Sequence, residues 1–193
     1  MLFWTVLGTM ACACSASALN QFVEHDKDKL MHRTSNRPIP AGHLSRIHAF
    51  VFGVILAYIG VGILSFLANV EAAGIALLTI LLYVLVYTPL KTRTSSNTLV
   101  GAVVGALPPL IGWVAASGGM GSGGLILASL LFIWQLPHFL ALAWVYREDY
   151  ERGGFVMLPS LDTTGKLTAK ASFITSLCLI PLTLLLTITG STG

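Results

Sequence analysis

Charged side chains are scarce in this sequence. Asp, Glu, Lys and Arg make up 10% of the 193 residues, whereas a soluble domain carries roughly 25%. A soluble protein of this size needs a polar surface, which this composition does not supply. Hydrophobic residues account for 55% of the chain and the mean hydropathy is +0.81, which excludes a disordered protein. The sequence therefore predicts a membrane protein with several spans.

Cysteines are also few, which limits covalent and metal chemistry. Cys12, Cys14 and Cys178 lie in apolar stretches, and no His or Cys stands near the first two at metal-binding spacing. We expect all three to be buried as small hydrophobic residues. The sequence also lacks a basic face of the kind that nucleic-acid binding requires, so we expect no nucleic-acid partner.

Six apolar segments are long enough to cross a bilayer, which takes about 20 residues. None alternates apolar and polar positions as a barrel strand does, so an all-α bundle is expected. Small residues at Gly101 and Gly105 suit close packing or a tunnel wall equally well, and Pro108 and Pro109 are expected to break or kink the fourth span. The predicted spans are 1–19, 47–67, 72–90, 97–117, 124–146 and 169–190.

The charges lie on one side of this predicted membrane protein. All 11 Lys and Arg residues fall in or next to loops 20–46, 91–96 and 147–168. This bias places those three loops in the cytoplasm or, in a mitochondrion, in the matrix. Seven of the eight acidic residues share the first and third of these loops. Lys and Arg alone orient a membrane protein, so the acidic residues need another explanation. We predict that the loops form one polar site at the membrane surface.

The first of these loops opens with a regular row of oxygen ligands. Asn20, Glu24 and Asp28 are spaced i, i+4, i+8. On a helix that continues from the first span they lie on one face, about 12 Å end to end at about 1.5 Å per residue. Carboxylates with an amide oxygen suit Mg²⁺, which also binds phosphate oxygens. The bases expected to hold those phosphates are Arg33, Arg37, Lys91 and Arg147; a solvated charged helix end is the alternative.

One ionisable residue lies inside a predicted span. His138 precedes Asp149 by 11 residues, which on one continuous helix leaves the two about 20° from eclipsed. An ionisable side chain within the bilayer is a functional hypothesis; a neutral histidine bonded to the helix backbone is the alternative.

The order of these motifs resembles a known family. The Asn-x₃-acid-x₃-Asp row and the later Arg147-Glu-Asp turn look like the UbiA superfamily of intramembrane prenyltransferases. Within that superfamily, the flanking sequence motifs resemble those of the branch that farnesylates heme, and they occur in the same order over about 20–190. These motifs are Met31-His-Arg-Thr-Ser-Asn-Arg-Pro38, Tyr87-Thr-Pro-Leu-Lys91, Trp134-Gln-Leu-Pro-His-Phe139 and Gly153-Gly-Phe-Val-Met-Leu158.

The resemblance implies a fold, a reaction and partners. The fold is a helical bundle of nine spans around a cavity, so 1–193 would be a single, incomplete prenyltransferase domain cut from a longer chain at both ends. The reaction joins farnesyl diphosphate to a vinyl group of heme B and gives heme O in a Mg²⁺-dependent step. Heme A synthase would act downstream, and the enzyme would lie in the lipid bilayer.

The resemblance also assigns roles to residues. Asn20, Glu24 and Asp28 would hold Mg²⁺ on the diphosphate, with Asp149 and Glu148 on the second side. His138 would face heme, as iron ligand or propionate contact. Tyr146 would stabilise a farnesyl cation, together with Phe22, Tyr87 or Trp134.

Two positions depart from the superfamily pattern. Glu24 replaces its usual Asp, as in mitochondrial members, and Tyr146 and Tyr150 replace the acids of its second motif. The number of Mg²⁺ ions therefore stays open.

Three further hypotheses about function remain open. These are another UbiA-type prenyltransferase acting on an aromatic acid or a chlorin, a transporter, and a truncated non-catalytic membrane subunit. For the compartment, the mitochondrial inner membrane is expected, with a bacterial plasma membrane as the alternative.

Overall fold

The computed structural model describes residues 1–188, and these residues form helices and connecting loops. The predicted all-α fold is confirmed. The helices are α1 (Leu2–Asp28), α2 (Arg46–Leu67), α3 (Val70–Leu81), a π-helix (Leu82–Tyr87), α4 (Thr88–Leu90), α5 (Asn97–Ser117), α6 (Gly121–Val145), α7 (Arg147–Arg152), α8 (Leu158–Leu161), α9 (Lys166–Leu177) and α10 (Leu179–Ile188).

Six stretches of this structure are long and apolar enough to cross a membrane, which makes the chain an integral membrane protein. They are Leu2–Asp28, Arg46–Leu67, Val70–Leu90, Asn97–Ser117, Gly121–Val145 and Lys166–Ile188. The predicted boundaries agree closely, except that the first helix runs nine residues beyond the expected 1–19. Residues 189 and 190 of the predicted last span lie outside the described residues.

The core lies where α1, α2, α3 and α5 meet. Leu64, Ala72, Ala76 and Val114 are fully buried there. Outward-facing positions carry large apolar side chains such as Phe66, which is 88% exposed. An apolar outer surface suits lipid rather than water. The bundle therefore buries a small-residue interior and presents its bulky residues to the bilayer.

Close contact between α1 and α2 depends on residues without bulky side chains. A Cβ placed on Gly60 would lie 2.6 Å from Cys12 Sγ and 2.8 Å from the carbonyl oxygen of Gly8. Small residues at such contacts let two helix backbones approach, and dispersion then stabilises the pair within a membrane. This contact fixes α1, the helix that carries the acidic row.

Two sequence expectations, about the cysteines and about the proline pair, need correction. Cys12 is buried, but Cys14 and Cys178 are exposed on the outer surface, where lipid can cover a thiol as well as protein does. Pro108 and Pro109 do not interrupt α5. The helix ends instead at Gly118, whose φ of 81° is a left-handed cap that glycine adopts without strain.

We predict that Gly60→Ala destabilises the bundle by about 1–3 kcal/mol, because the new methyl group overpacks the α1–α2 contact. Gly62→Ala on the same helix is the matched control, since nothing lies within 4 Å of its added Cβ. Reversible unfolding in mixed detergent micelles measures both. Equal stability of the two variants would contradict the close-contact interpretation.

Candidate functional site

A polar cavity of about 230 Å³ lies at the end of the bundle where α1 ends. The loop after α1, the π-helix, Lys91, α7 and the segment that follows α7 complete its wall. Residues of loop 1 (20–46), loop 3 (91–96) and loop 5 (147–168) therefore meet at one end, as their charge pattern predicted. The side of a membrane that this end faces stays a prediction. The lining residues are Asn20, Glu24, Asp28, Met31, Arg33, Thr34, Arg37, Tyr83, Tyr87, Lys91, Tyr150, Phe155 and Met157.

The acidic row lies on one buried face of α1. Because the helix continues to Asp28, residues four apart stack along its axis. Asn20, Glu24 and Asp28 are 5%, 5% and 1% exposed. A solvated helix end would leave such side chains in water. Their burial therefore favours a preformed binding site over that alternative.

Each carboxylate of the row is paired with a cation from another part of the chain. Lys91 Nζ lies 3.0 Å from Glu24 Oε1 and donates a hydrogen bond to Oε2 at 3.1 Å. Arg37 Nη1 lies 2.8 Å from Asp28 Oδ2. Burial of unpaired charges costs several kcal/mol each, so these pairs are what permits two carboxylates to lie at the end of an apolar bundle.

Burial lowers the pKa of Lys91 below its ordinary value, because the ammonium loses its hydration. The neighbouring Glu24 carboxylate opposes that shift. The ammonium therefore depends on Glu24 for its charge, and the two side chains act as one unit.

Arg33 provides the cavity with an excess positive charge. The cavity holds two carboxylates and three cations, and within residues 1–188 the Arg33 guanidinium forms no ion pair. It lies instead over the rings of Tyr146 and Tyr150, at 4.8 and 5.5 Å, and donates to Tyr150 Oη at 3.2 Å. A cation held by aromatic faces keeps its full charge for an incoming anion.

A carboxylate oxygen of the acidic row has no hydrogen-bond partner within the described residues. Asp28 Oδ1 is buried and accepts no hydrogen bond from the described residues. A buried oxygen in this state costs free energy unless a ligand satisfies it. Across residues 1–188, no three His, Cys, Asp or Glu side chains converge to form a complete metal cage.

Asp149 lies outside the cavity lining and anchors loop 1. Its Oδ1 and Oδ2 accept the backbone N–H groups of His32 and Arg33 at 3.2 and 3.0 Å, and Arg152 lies 2.9 Å away. The Arg33 N–H contributes most to a pKa below the usual range for Asp149. This carboxylate therefore holds in place the backbone that carries Arg33.

A short segment, residues 154–156, covers the cavity, and we call it the strap. Val156 N–H donates to the Lys91 carbonyl at 2.7 Å, and Asn97 Nδ2 donates to the Val156 carbonyl at 2.8 Å. Gly154, with φ of 68°, turns the chain into this strap without strain. Phe155 is thereby buried over the site, 5.7 Å from the Lys91 ammonium.

The remaining predicted residues are not brought into the cavity. Arg147 and Glu148 are exposed, and Tyr146 reaches the site only through its contact with Arg33. Their predicted roles in binding metal, diphosphate and a cation stay predictions.

The expected stripe from His138 to Asp149 is wrong. Tyr146, with φ of −102° and ψ of 22°, ends α6 before α7 begins, so no continuous helix joins the two residues. His138 is exposed on the outer face and stacks on Trp134 at 4.9 Å. Its role toward heme stays a prediction.

Tyr83 in the cavity lining, and several residues that support the site, were not anticipated from the sequence. Tyr83 precedes the predicted residues Tyr87 and Lys91 by four and eight positions, the same spacing as the acidic row, and this signal could have indicated a second polar face. Thr88, Asn97 and Phe155 carry no comparable sequence signal, because their partners lie on distant segments.

The fold and the acid-and-base cavity define an intramembrane prenyltransferase class. The chain belongs to the UbiA prenyltransferase family, whose model matches residues 1–193. No solved structure matches the chain significantly.

Similar curated proteins carry a more specific name. A protein of Solibacter usitatus named protoheme IX farnesyltransferase is 43% identical over all of this chain and 66% of its own length. Mitochondrial proteins with that name from Arabidopsis thaliana and Homo sapiens are 44% and 46% identical, over 94% and 80% of this chain and 42% and 35% of their own lengths. The chain thus spans less than two thirds of each of these three relatives.

We predict that Asp149→Asn loosens loop 1, because an amide has one accepting oxygen and cannot hold both backbone N–H groups. Hydrogen exchange of residues 31–34 should become faster. Glu148→Gln is the matched control, since the Glu148 side chain is 77% exposed.

The same anchor should depend on pH. The folded-state pKa of Asp149 lies below its unfolded value of about 3.9, so its stabilisation is present above about pH 4 and is lost as the pH falls through the lower folded value. Unchanged exchange in Asp149→Asn at neutral pH would contradict the anchoring role.

Proposed function

We propose that the protein transfers the farnesyl group of farnesyl diphosphate to a vinyl group of heme B and gives heme O. The observation that carries this proposal is the polar cavity, with two buried acid–base pairs and an excess cation, at the end of an apolar bundle. An anionic head and an apolar chain are the two parts of a prenyl diphosphate. The name of these relatives, protoheme IX farnesyltransferase, supports heme as the acceptor.

Positive charge supports binding of the diphosphate. Arg33 is free of carboxylates within the described residues, while Lys91 and Arg37 are half of existing pairs. Together these cations neutralise charge that develops on the leaving diphosphate, and stabilisation of developing charge lowers the barrier to bond cleavage.

The donor set fits a Mg²⁺ ion that is shared with the diphosphate. Asp28 has a free buried oxygen, Glu24 is one turn away, and Asn20 adds a neutral amide. Mg²⁺ commonly binds one or two carboxylates together with substrate phosphates and water, so a complete protein cage is not required. When bound, the ion would supply Lewis-acid stabilisation of the leaving group.

Binding of this kind requires the internal ion pairs to exchange partners. Glu24 and Asp28 would turn from Lys91 and Arg37 to hold a divalent cation, and the two freed bases would turn to phosphate oxygens. Either ligand alone would leave buried charges unpaired, whereas both together keep every charge paired. We therefore expect the two ligands to bind cooperatively.

The apolar continuation of this face of α1 supports binding of the farnesyl chain. Ala16 and Thr9 continue the face of Asn20 away from the acids and line a small cavity, which shares Thr9, Ala13 and Pro108 with an apolar cavity of about 600 Å³. This larger cavity lies away from the acid–base pairs. From Asn20 to Thr9 the face is about 17 Å long at about 1.5 Å per residue, comparable to an extended farnesyl chain.

The chemistry is an electrophilic alkylation. The allylic C–O bond breaks and its electrons leave with the diphosphate; the vinyl π electrons of heme B then form the C–C bond. Water adds to the resulting cation and releases a proton. The rings of Tyr83, Tyr87 and Tyr150 line the cavity. Their faces would stabilise the allylic cation once Lys91 and Arg33, which lie over them, turn to phosphate oxygens. The Phe155 strap would limit early access of water.

The family resemblance also bears on compartment. Relatives include mitochondrial and bacterial proteins. We propose that the cavity faces the matrix of a mitochondrion, or the cytoplasm of a bacterium, because all 11 basic residues gather in or beside the loops at that end.

We predict that proteoliposomes containing the protein convert heme B and farnesyl diphosphate to heme O only with Mg²⁺, as read by mass spectrometry. Asp28→Asn should abolish turnover, because it removes a buried charge from the site. Asp26→Asn is the control in the same last turn of α1, since the Asp26 side chain is 76% exposed. Full activity of Asp28→Asn, or turnover in chelator, would overturn the metal assignment.

A binding prediction tests the exchange of ion pairs without turnover. Inorganic pyrophosphate should bind at least about tenfold more tightly with Mg²⁺ than without, a coupling of about 1.4 kcal/mol. Arg33→Met should weaken binding in both conditions, because it removes the unpaired cation. Calorimetry on the protein in nanodiscs measures this, and equal affinities with and without Mg²⁺ would contradict the exchange.

A further inference from the structure

Thr88 joins the π-helix to the acidic row at a single buried hydroxyl. The residue is 2% exposed and directly follows the π-helix Leu82–Tyr87. Its Oγ1 donates to the Tyr83 carbonyl at 2.8 Å and accepts a hydrogen bond from Asn20 Nδ2 at 3.0 Å. One hydroxyl therefore connects two elements that both line the cavity.

The direction of these hydrogen bonds follows from the number of protons. A threonine hydroxyl has one proton, and the Tyr83 carbonyl can only accept. The Thr88 hydroxyl therefore donates its proton to the Tyr83 carbonyl, and the lone pairs of Thr88 Oγ1 are left to accept from a donor. Asn20 must therefore direct its NH₂ group toward Thr88. The hydrogen-bonding partners thus distinguish this orientation of the amide from the flipped one, in which the oxygen and nitrogen exchange places.

This orientation leaves the amide oxygen of Asn20 free. Within the described residues Asn20 Oδ1 accepts no hydrogen bond, and Asn20 lines the same cavity as Glu24 and Asp28. If the amide were reversed, its NH₂ group would be directed away from Thr88 and would repel a cation. The position of the hydroxyl thus determines whether Asn20 can serve a cation.

The π-helix explains why the hydroxyl can do this. The Tyr83 carbonyl accepts the backbone N–H of Thr88, five residues later, as well as its hydroxyl. An ordinary helical threonine bonds four residues back, as Thr79 does with Ile75. The wider turn fixes the hydroxyl against α1, and such π-turns are frequent at functional sites.

We infer that Thr88 is a positioning residue, which holds the Asn20 amide with its oxygen available to the metal–diphosphate complex. This inference rests on the proposed function and deepens it, because it assigns the orientation of a neutral ligand to a residue that need not touch substrate. It predicts that loss of the hydroxyl weakens metal-dependent binding selectively.

The test compares Thr88→Val with Thr88→Ser in the protein reconstituted in nanodiscs, with inorganic pyrophosphate as the probe. Thr88→Val should weaken Mg²⁺-dependent pyrophosphate binding about tenfold, the value of one hydrogen bond of about 1.4 kcal/mol. Thr88→Ser, which keeps the hydroxyl, should restore it. Pyrophosphate binding without Mg²⁺ should not change in either variant. Thr183→Val is the control, because its hydroxyl bonds only within α10.

A double variant separates positioning from general damage. In the Asn20→Ala background, Thr88→Val should cause no further loss, because the group that it orients is absent. Additive losses, failure of Thr88→Ser to restore binding, or equal losses with and without Mg²⁺ would each overturn the positioning role. Absence of Mg²⁺-dependent binding in the unaltered protein would overturn the proposed function as well, whereas normal binding by Thr88→Val overturns the inference alone.

Discussion

The rest of the site depends on one constraint, the cost of removing charge from water at the end of an apolar bundle. The carboxylates of Glu24 and Asp28 can be buried there because Lys91 and Arg37 approach within 3.0 and 2.8 Å. Unpaired charges in their place would destabilise the fold by several kcal/mol. The cations come from two different loops. Folding of those loops and formation of the site are therefore one event, and the site is complete only when the whole end of the bundle is assembled.

The same constraint makes the site responsive to ligands. The two ion pairs can exchange partners with a ligand that carries both a positive and a negative charge, such as a metal-bound diphosphate. A ligand with charge of one sign would leave the opposite members of the pairs buried and unpaired, so its binding is disfavoured. Arg33 stands apart because aromatic rings, rather than a carboxylate, surround its guanidinium. It provides the initial attraction for an anion, and Asp149 maintains its position through the backbone.

The sequence predicted what depends on local periodicity and failed where distant segments decide. Six spans follow from the length of apolar stretches, and the shared face of Asn20, Glu24 and Asp28 follows from the pitch of one helix. The bonds of Asp149 to His32 and Arg33 join residues more than 110 positions apart, and no periodicity contains them. His138 was misplaced relative to Asp149 because a change in one residue's backbone, at Tyr146, ends the helix between them. The exposed positions of Cys14 and Cys178 depend on helix rotation, which an almost uniformly apolar span does not specify.

Lys91 has a mechanical role in addition to its charge. Its ammonium neutralises Glu24 at the floor of the cavity, and its carbonyl holds Val156 of the roof. A displacement of the strap would therefore act on the backbone of the residue whose side chain neutralises Glu24. We expect a substitution in the strap to alter the strength of anion binding without contact with the anion.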